Sequence, residues 1–176
     1  IAKEQKNRTE DRRIMATTDF TLIRHGQTTE NIKGCLQGHF DSRLDETGLI
    51  QAEAAAERLA GEQFDVIYSS DLQRARKTAE IIAAKLKRDV IPMRELREWH
   101  LGELENRLCK ELWTEYPEIM NCFRCENDDV PVPGGESHRE FDKRIADCLE
   151  SLAGEHPDQK ILLVTHGGVM RSIFKH

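Results

Sequence analysis

Four short apolar runs stand out along the chain: Phe20 to Ile23, Val66 to Tyr68, Val90 to Ile91 and Ile161 to Val164. Each has strand length, and between them the apolar positions take up the three-and-four spacing of helices packed on one side. Leu49, Ala52, Ala55, Ala56 and Leu59 form one such face, with Thr47 placed to cap it. Leu72, Ala75, Ala79, Ile82 and Leu86 form a second, after a capping-box pair at Ser70 and Gln73, and Phe141, Ile145, Cys148, Leu149 and Leu152 form a third, after Ser137 and Glu140. Strands alternating with amphipathic helices predict an α/β fold in three α/β/α layers, with a mostly parallel sheet flanked by helices.

The remaining stretches mark the limits of that unit. Ile1 to Ile14 is rich in charge and has no apolar period, so residues 1–14 read as a tag or disordered lead before Met15. Residues 15–176 then form a single domain. Between Glu103 and Asp129 the pattern weakens to one helix around Leu104 to Tyr116 and an irregular, lid-like segment. Pro131, Pro133, Gly134 and Gly135 announce a loop. Gly167 to His176 opens a helix without a stop signal, which suggests that a terminal element of the domain follows.

Composition narrows the classes. Hydrophobic residues at 38% and charged residues at 33% fit a folded, water-exposed domain. No apolar run approaches the roughly 18 residues of a membrane span. The net charge of −6 comes from acidic and basic residues mixed along the chain, which argues against a nucleic-acid surface and requires any anionic ligand to be attracted locally. Cys35, Cys109, Cys122, Cys125 and Cys148 are odd in number and irregular in spacing, so they read as thiols of a cytoplasmic protein. Cys122 and Cys125 have C-x-x-C spacing, but the two further ligands that zinc needs are not placed to match. No metal or cofactor is expected.

Candidate chemistry gathers at strand ends. Thr21-Leu22-Ile23 runs into Arg24-His25-Gly26, and Leu162-Leu163-Val164 runs into Thr165-His166-Gly167-Gly168. Ligands of open parallel sheets bind beyond the carboxyl ends of the strands, where both histidines can share a crevice. Glycine after each histidine allows a sharp turn and a close backbone approach. A third strand ends in Ser69-Ser70-Asp71 and puts Arg74 within reach of the same crevice. Each residue alone reads as readily as a packed histidine or a surface arginine. Together, Arg24, Arg74, His25 and His166 would surround a tetrahedral anion with donors suited to phosphate.

The run Leu22-Ile23-Arg24-His25-Gly26-Gln27-Thr28-Thr29-Glu30-Asn31 resembles the signature of the histidine phosphatase, or phosphoglycerate mutase-like, superfamily. Further matches follow in order: Gln37-Gly38, Leu44 to Gly48, Ser69 to Ala75, Leu96-Arg97-Glu98 with Gly102, Pro133 to Ser137, and Val164 to Gly168. The resemblance covers nearly all of Thr18 to His176, and Gly-Gly after His166 is similar to the branch of mutases and small phosphatases. It implies a nucleophilic His25, with Arg24, Arg74 and His166 on the phosphoryl oxygens. It also implies that Asn31, Gln37 and the amide of Gly167 complete the pocket, and that Glu98 is the proton donor, a role worth about 10²–10⁴-fold in rate.

The implied activity is metal-independent hydrolysis of small phosphate monoesters through phosphohistidine. Phosphoglycerate mutase-type transfer is the alternative within the family, and a non-catalytic phosphate-binding module the alternative outside enzymes. Arg43, Trp99, Arg107, Lys110 and the loop from Asn121 to Val132 are candidates for the cleft entrance. The partner is a small phosphorylated substrate, with no nucleic acid or membrane, and monomer and homodimer are equally open. One departure from the pattern, Glu105-Asn106 where many relatives have Glu-Gly, calls for asparagine to take a left-handed turn, which it tolerates better than most residues.

Overall fold

The computed structural model describes residues 17–123 and 130–175. The lead expected at 1–14, Met15 and Cys125 of the C-x-x-C pair lie outside the described residues. All four expected strands form: β1 (Asp19–Arg24), β2 (Val66–Ser70), β3 (Val90–Met93) and β4 (Lys160–Thr165). They make one sheet in the order β1-β4-β2-β3, with every neighbouring pair parallel. Pro92, which has no N–H to give a ladder, sits in the edge strand β3.

β4 is central and apolar on both faces, as a strand covered by helices on each side must be. Leu162 and Val164 pack toward α2 (Glu46–Leu59) and α3 (Gln73–Leu86), against Ala56, Leu59, Ala79 and Ile82. Ile161 and Leu163 face Cys148 and Leu152 of α6 (His138–Glu155). Each of these four β4 side chains contributes about 1.5–3 kcal/mol by burial, so the strand that ends at His166 is held by the firmest part of the core. α1 (Thr29–Lys33) follows β1, and α4 (Cys109–Glu115), α5 (Pro117–Cys122) and α7 (Gly167–Lys175) complete the set. Among the described residues no helix is long and apolar enough to cross a membrane.

The structure corrects several local expectations. α2 is capped by Asp45, whose Oδ1 accepts from Gly48 N at 2.7 Å, and Thr47 lies inside the first turn. Leu49, expected on the packed face, is exposed. Ser70 and Gln73 make no capping box: Ser70 ends β2, and Gln73 N donates to Asp41 Oδ1 at 2.7 Å, so the cap comes from a distant loop. The single helix around Leu104 to Tyr116 is instead a 3₁₀ turn, Gly102–Leu104, followed by α4 and α5, which Pro117 separates by starting the second. Ser137 and Glu140 do form a capping box on α6. Asn106 takes the left-handed turn, at φ 58°.

Candidate active site

The carboxyl ends of β1, β2 and β4 open on a cleft of about 750 Å³ whose lining includes Arg24, His25, Asn31, Gln37, Arg74, Glu98 and Gly167. His166 lies directly behind His25, with ring centroids 5.2 Å apart. All eight residues singled out from the sequence are thus brought together. They come from six stretches of chain; seven of the residues line the cleft and His166 is buried against His25, and the parallel sheet is what unites them.

His25 is held from both sides of its backbone. Its N–H donates to Thr165 O at 2.9 Å, extending the β1–β4 ladder, and its Nδ1 donates to Gly26 O at 2.7 Å. That bond fixes the tautomer and leaves the Nε2 lone pair for the cleft. Burial, then Arg74 and Arg24, hold the imidazole down to about 3, so it is neutral throughout the physiological range. The adjacent glycine serves a purpose the sequence reading did not foresee: a Cβ on Gly26 would lie 2.4 Å from Gly48 O, so its absence lets β1 pack tightly on the start of α2.

His166 is fully buried, and burial with the nearby Arg74 holds its pKa well below the usual histidine range. Its Nε2 lies 2.8 Å from Ser70 Oγ, while Nδ1 has no partner. Ser70 Oγ accepts from Leu72 N at 3.4 Å, and its O–H is available to donate to His166 Nε2. In the tautomer where Ser70 donates, the neutral ring carries its proton on Nδ1, available for an acceptor.

Arg74 is 1% exposed, yet no carboxylate among the described residues pairs with it. Its Nη1 donates to Phe40 O at 2.8 Å and its Nη2 to Gly38 O at 2.7 Å, while Nε is buried without a partner. Burial lowers its pKa to about 10, which keeps it cationic at neutral pH. Glu98, Asp41, Glu105 and Glu30 favour its charge from a distance, but a buried cation without an ion-pair partner remains costly until an anion joins it. Arg24, by contrast, is an exposed residue on the cleft wall, packed along Gly167.

The amides are pre-oriented. Asn31 Oδ1 accepts from Thr28 N at 3.1 Å and Thr28 Oγ1 at 3.0 Å, and Gln37 Oε1 accepts from Ser42 Oγ. In both side chains the oxygen is occupied, so the group each can offer an anion is NH₂. Glu98 Oε1 accepts from Trp99 N and Oε2 from Gly168 N, each at 2.9 Å. A Cβ on Gly168 would stand 2.1 Å from Glu98 Oε1, so the second glycine after His166 makes room for this carboxylate.

The expected entrance is only partly right. Trp99 lines the cleft, but Arg43 donates to Gln73 on another surface and Arg107 is paired with Glu115. Lys110 does not line it either. Of the expected loop from Asn121 to Val132, Cys122 and Phe123 line the cleft, and 124–129 lie outside the described residues; the wall also includes Leu36, Phe141, Met170 and Arg171, which sequence reasoning missed. Phe141 and Met170 sit on helices whose spacing signals only a packed face. Among the described residues no group of three or more His, Cys, Asp or Glu side chains is placed to hold a metal ion.

Neutral histidines in a protein unfold more readily in acid, because the unfolded chain takes up protons below its ordinary pKa of 6.5 while the folded one does not. The free energy of unfolding should therefore fall between pH 7 and pH 4 by about 2–3 kcal/mol more in the wild type than in His25→Gln. Urea titrations at the two pH values check this, and parallel losses in both proteins would refute it.

At the rim of this parallel α/β sheet, two histidines, two arginines and two oriented amides meet in one cleft, a set of groups suited to a small tetrahedral oxyanion. The chain belongs to the histidine phosphatase superfamily (branch 1), whose pattern matches residues 20–176. It is 42% identical over 160 residues to a metal-independent phosphoserine phosphatase of Arabidopsis thaliana, covering 89% of this chain and 67% of that protein. A phosphoglycerate mutase-like protein 4 of the same plant is 41% identical over 160 residues, with 89% and 70% covered. Among solved structures, a mycobacterial glucosyl-3-phosphoglycerate phosphatase in complex with VO3 superposes with a TM-score of 0.77 at 34% identity, covering 87% of this chain and 78% of that one.

Proposed function

We propose that this protein hydrolyses small phosphate monoesters through a phosphohistidine formed on His25, without a metal ion. The observation that carries the reading is the pair of buried, partnerless nitrogens, Arg74 Nε and His166 Nδ1, beside a neutral imidazole with a free lone pair. A phosphomonoester carries close to two negative charges near neutral pH and supplies the acceptors both nitrogens lack.

In this scheme Arg24, Arg74, His166, the amides of Asn31 and Gln37, and the Gly167 N–H receive the phosphoryl oxygens. His25 Nε2 attacks phosphorus, and an N–P bond forms as the ester O–P bond breaks. The positive charge developing on the ring is stabilised by its Nδ1–H bond to Gly26 O. Glu98 gives its proton to the departing alkoxide, then takes one from the water that cleaves the N–P bond and releases inorganic phosphate. The names of the phosphatase relatives support hydrolysis of esters of this kind. Cys35, Cys109 and Cys148 are free thiols, which supports a cytoplasmic setting.

Mutase-type transfer is the second reading, favoured by the near-equal identity to the mutase-like relative. There the phosphoryl group on His25 returns to another hydroxyl. Phosphate release from a panel of monoesters with chelator present is expected to proceed undiminished. Exchange of 3-phosphoglycerate with its isomer, primed by 2,3-bisphosphoglycerate and without phosphate release, would replace hydrolysis by transfer. Phosphate binding with neither reaction would leave a non-catalytic module.

A further inference from the structure

Glu98 lies in a stretch, Arg97 to Leu101, that belongs to neither helix nor strand, so no ladder of backbone hydrogen bonds fixes where its carboxyl points. Arg144, in the second turn of α6, replaces that ladder. Its Nη1 donates to Glu95 O at 2.6 Å and Arg97 O at 3.0 Å, and its Nη2 donates to Glu98 O at 3.1 Å. The remaining N–H groups, on Nε and Nη2, go to the two carboxylate oxygens of Glu136. All five guanidinium donors are thus in use, which a lysine could not imitate.

Glu136 ties the far side of the same stretch. Its Oε1 accepts from His100 N at 2.9 Å, its backbone N donates to His100 O at 3.0 Å, and its carbonyl accepts from Trp99 Nε1 at 2.8 Å. His39 Nε2 adds a second donor to Glu98 O at 2.9 Å. Arg144 itself does not line the cleft. It faces a separate surface depression with His39, Arg97, His100 and Glu136, and it touches the site through the backbone it holds and through the Phe141 ring, whose centroid lies 5.2 Å from its guanidinium carbon.

We infer that Arg144 is a positioning residue for proton donation by Glu98: with Glu136, it brackets residues 95–100 so that the Glu98 carboxyl meets the leaving oxygen. The inference rests on the reading of Glu98 as proton donor. It also explains why a charged residue sits on a partly shielded face of α6, with side-chain exposures of 22% for Arg144 and 18% for Glu136.

The leaving group supplies the test. An alkyl phosphate needs a proton on its departing oxygen, whereas p-nitrophenolate leaves without one. The parameter to compare is kcat/KM, which ends at the first irreversible step and so excludes the later hydrolysis of phosphohistidine. Arg144→Gln is expected to lower kcat/KM by about 30–100-fold for phosphoserine or glycerol phosphate, the range set by misplacing a reacting group by about an ångström. For p-nitrophenyl phosphate the loss should be under about 5-fold, because the proton supplied by general acid catalysis is not needed. Arg144→Lys, which keeps the charge and some of the donors, should fall between wild type and Arg144→Gln and covers the case in which Arg144→Gln does not fold. Equal losses on both substrates, or none, would overturn the role of Arg144. Glu98→Gln run alongside separates the two levels: if it shows no leaving-group dependence, it is the reading of Glu98 that fails.

Discussion

Replacing His25 by alanine is expected to lower phosphate release by about 10⁴-fold or more, since removal of a covalent nucleophile leaves only binding and electrostatic contributions. The fold should persist. The backbone bond from His25 N to Thr165 O does not involve the side chain, and Nδ1 bonds only to its neighbour's carbonyl, Gly26 O. Stability should change by no more than about 1–2 kcal/mol, the common range for a single substitution. The decisive measurement is labelling: wild-type protein quenched during turnover of a ³²P-labelled ester should carry label that survives base and is lost in acid, as a P–N bond requires. His25→Ala should carry none. Label in the variant, or activity within about tenfold of wild type, would place the nucleophile elsewhere and end the phosphohistidine mechanism.

Much of this site was legible in the sequence because its residues stand at strand ends. Apolar runs as short as Ile161 to Val164 have few structural interpretations, and a parallel sheet sends the residues that follow them to one rim. His25, His166 and Arg74 could therefore be placed together without coordinates. Caps were less legible, because they depend on chain segments far away: Asp41, 32 positions before Gln73, starts α3, and nothing local to Ser70 indicates it. Ser70 has the composition of a cap and turns instead to His166.

The entrance was legible only in part, at Trp99 and Phe123, for a related reason. A charged residue in a loop does not announce its direction, and Arg43 and Arg107 were claimed by Gln73 and Glu115. The outer wall was hidden in the opposite way, since Phe141 obeys the helical period that signals core and is indeed 1% exposed, yet it also borders the cleft. Arg144 belongs to neither error. On a helical wheel it is one more polar position, and only the folded chain reveals that its donors are spent on carbonyls 46 to 49 residues earlier.

Arg74→Lys is expected to lower kcat/KM by about 10²–10³-fold, the cost of removing one partner from a desolvated, hydrogen-bonded charge pair. The guanidinium performs two tasks at once. Nη1 and Nη2 hold Phe40 O and Gly38 O, fixing the loop that carries Gln37, and Nε is left for the anion. An ammonium cannot span both carbonyls and still direct a donor at phosphate, so the loss exceeds what an equal charge would suggest. The same reasoning predicts an asymmetry in stability. Without ligand, the buried cation has carbonyl and hydroxyl dipoles and the fields of carboxylates such as Glu98 and Asp41, none in an ion pair with it, to offset its desolvation, so Arg74→Met should be nearly as stable as wild type, within about 2 kcal/mol. With inorganic phosphate added, wild type should gain in Tm by binding linkage and Arg74→Met should not. A phosphate-dependent rise in Tm that Arg74→Met retains in full would mean that the buried guanidinium is structural and that the anion is gripped by other groups.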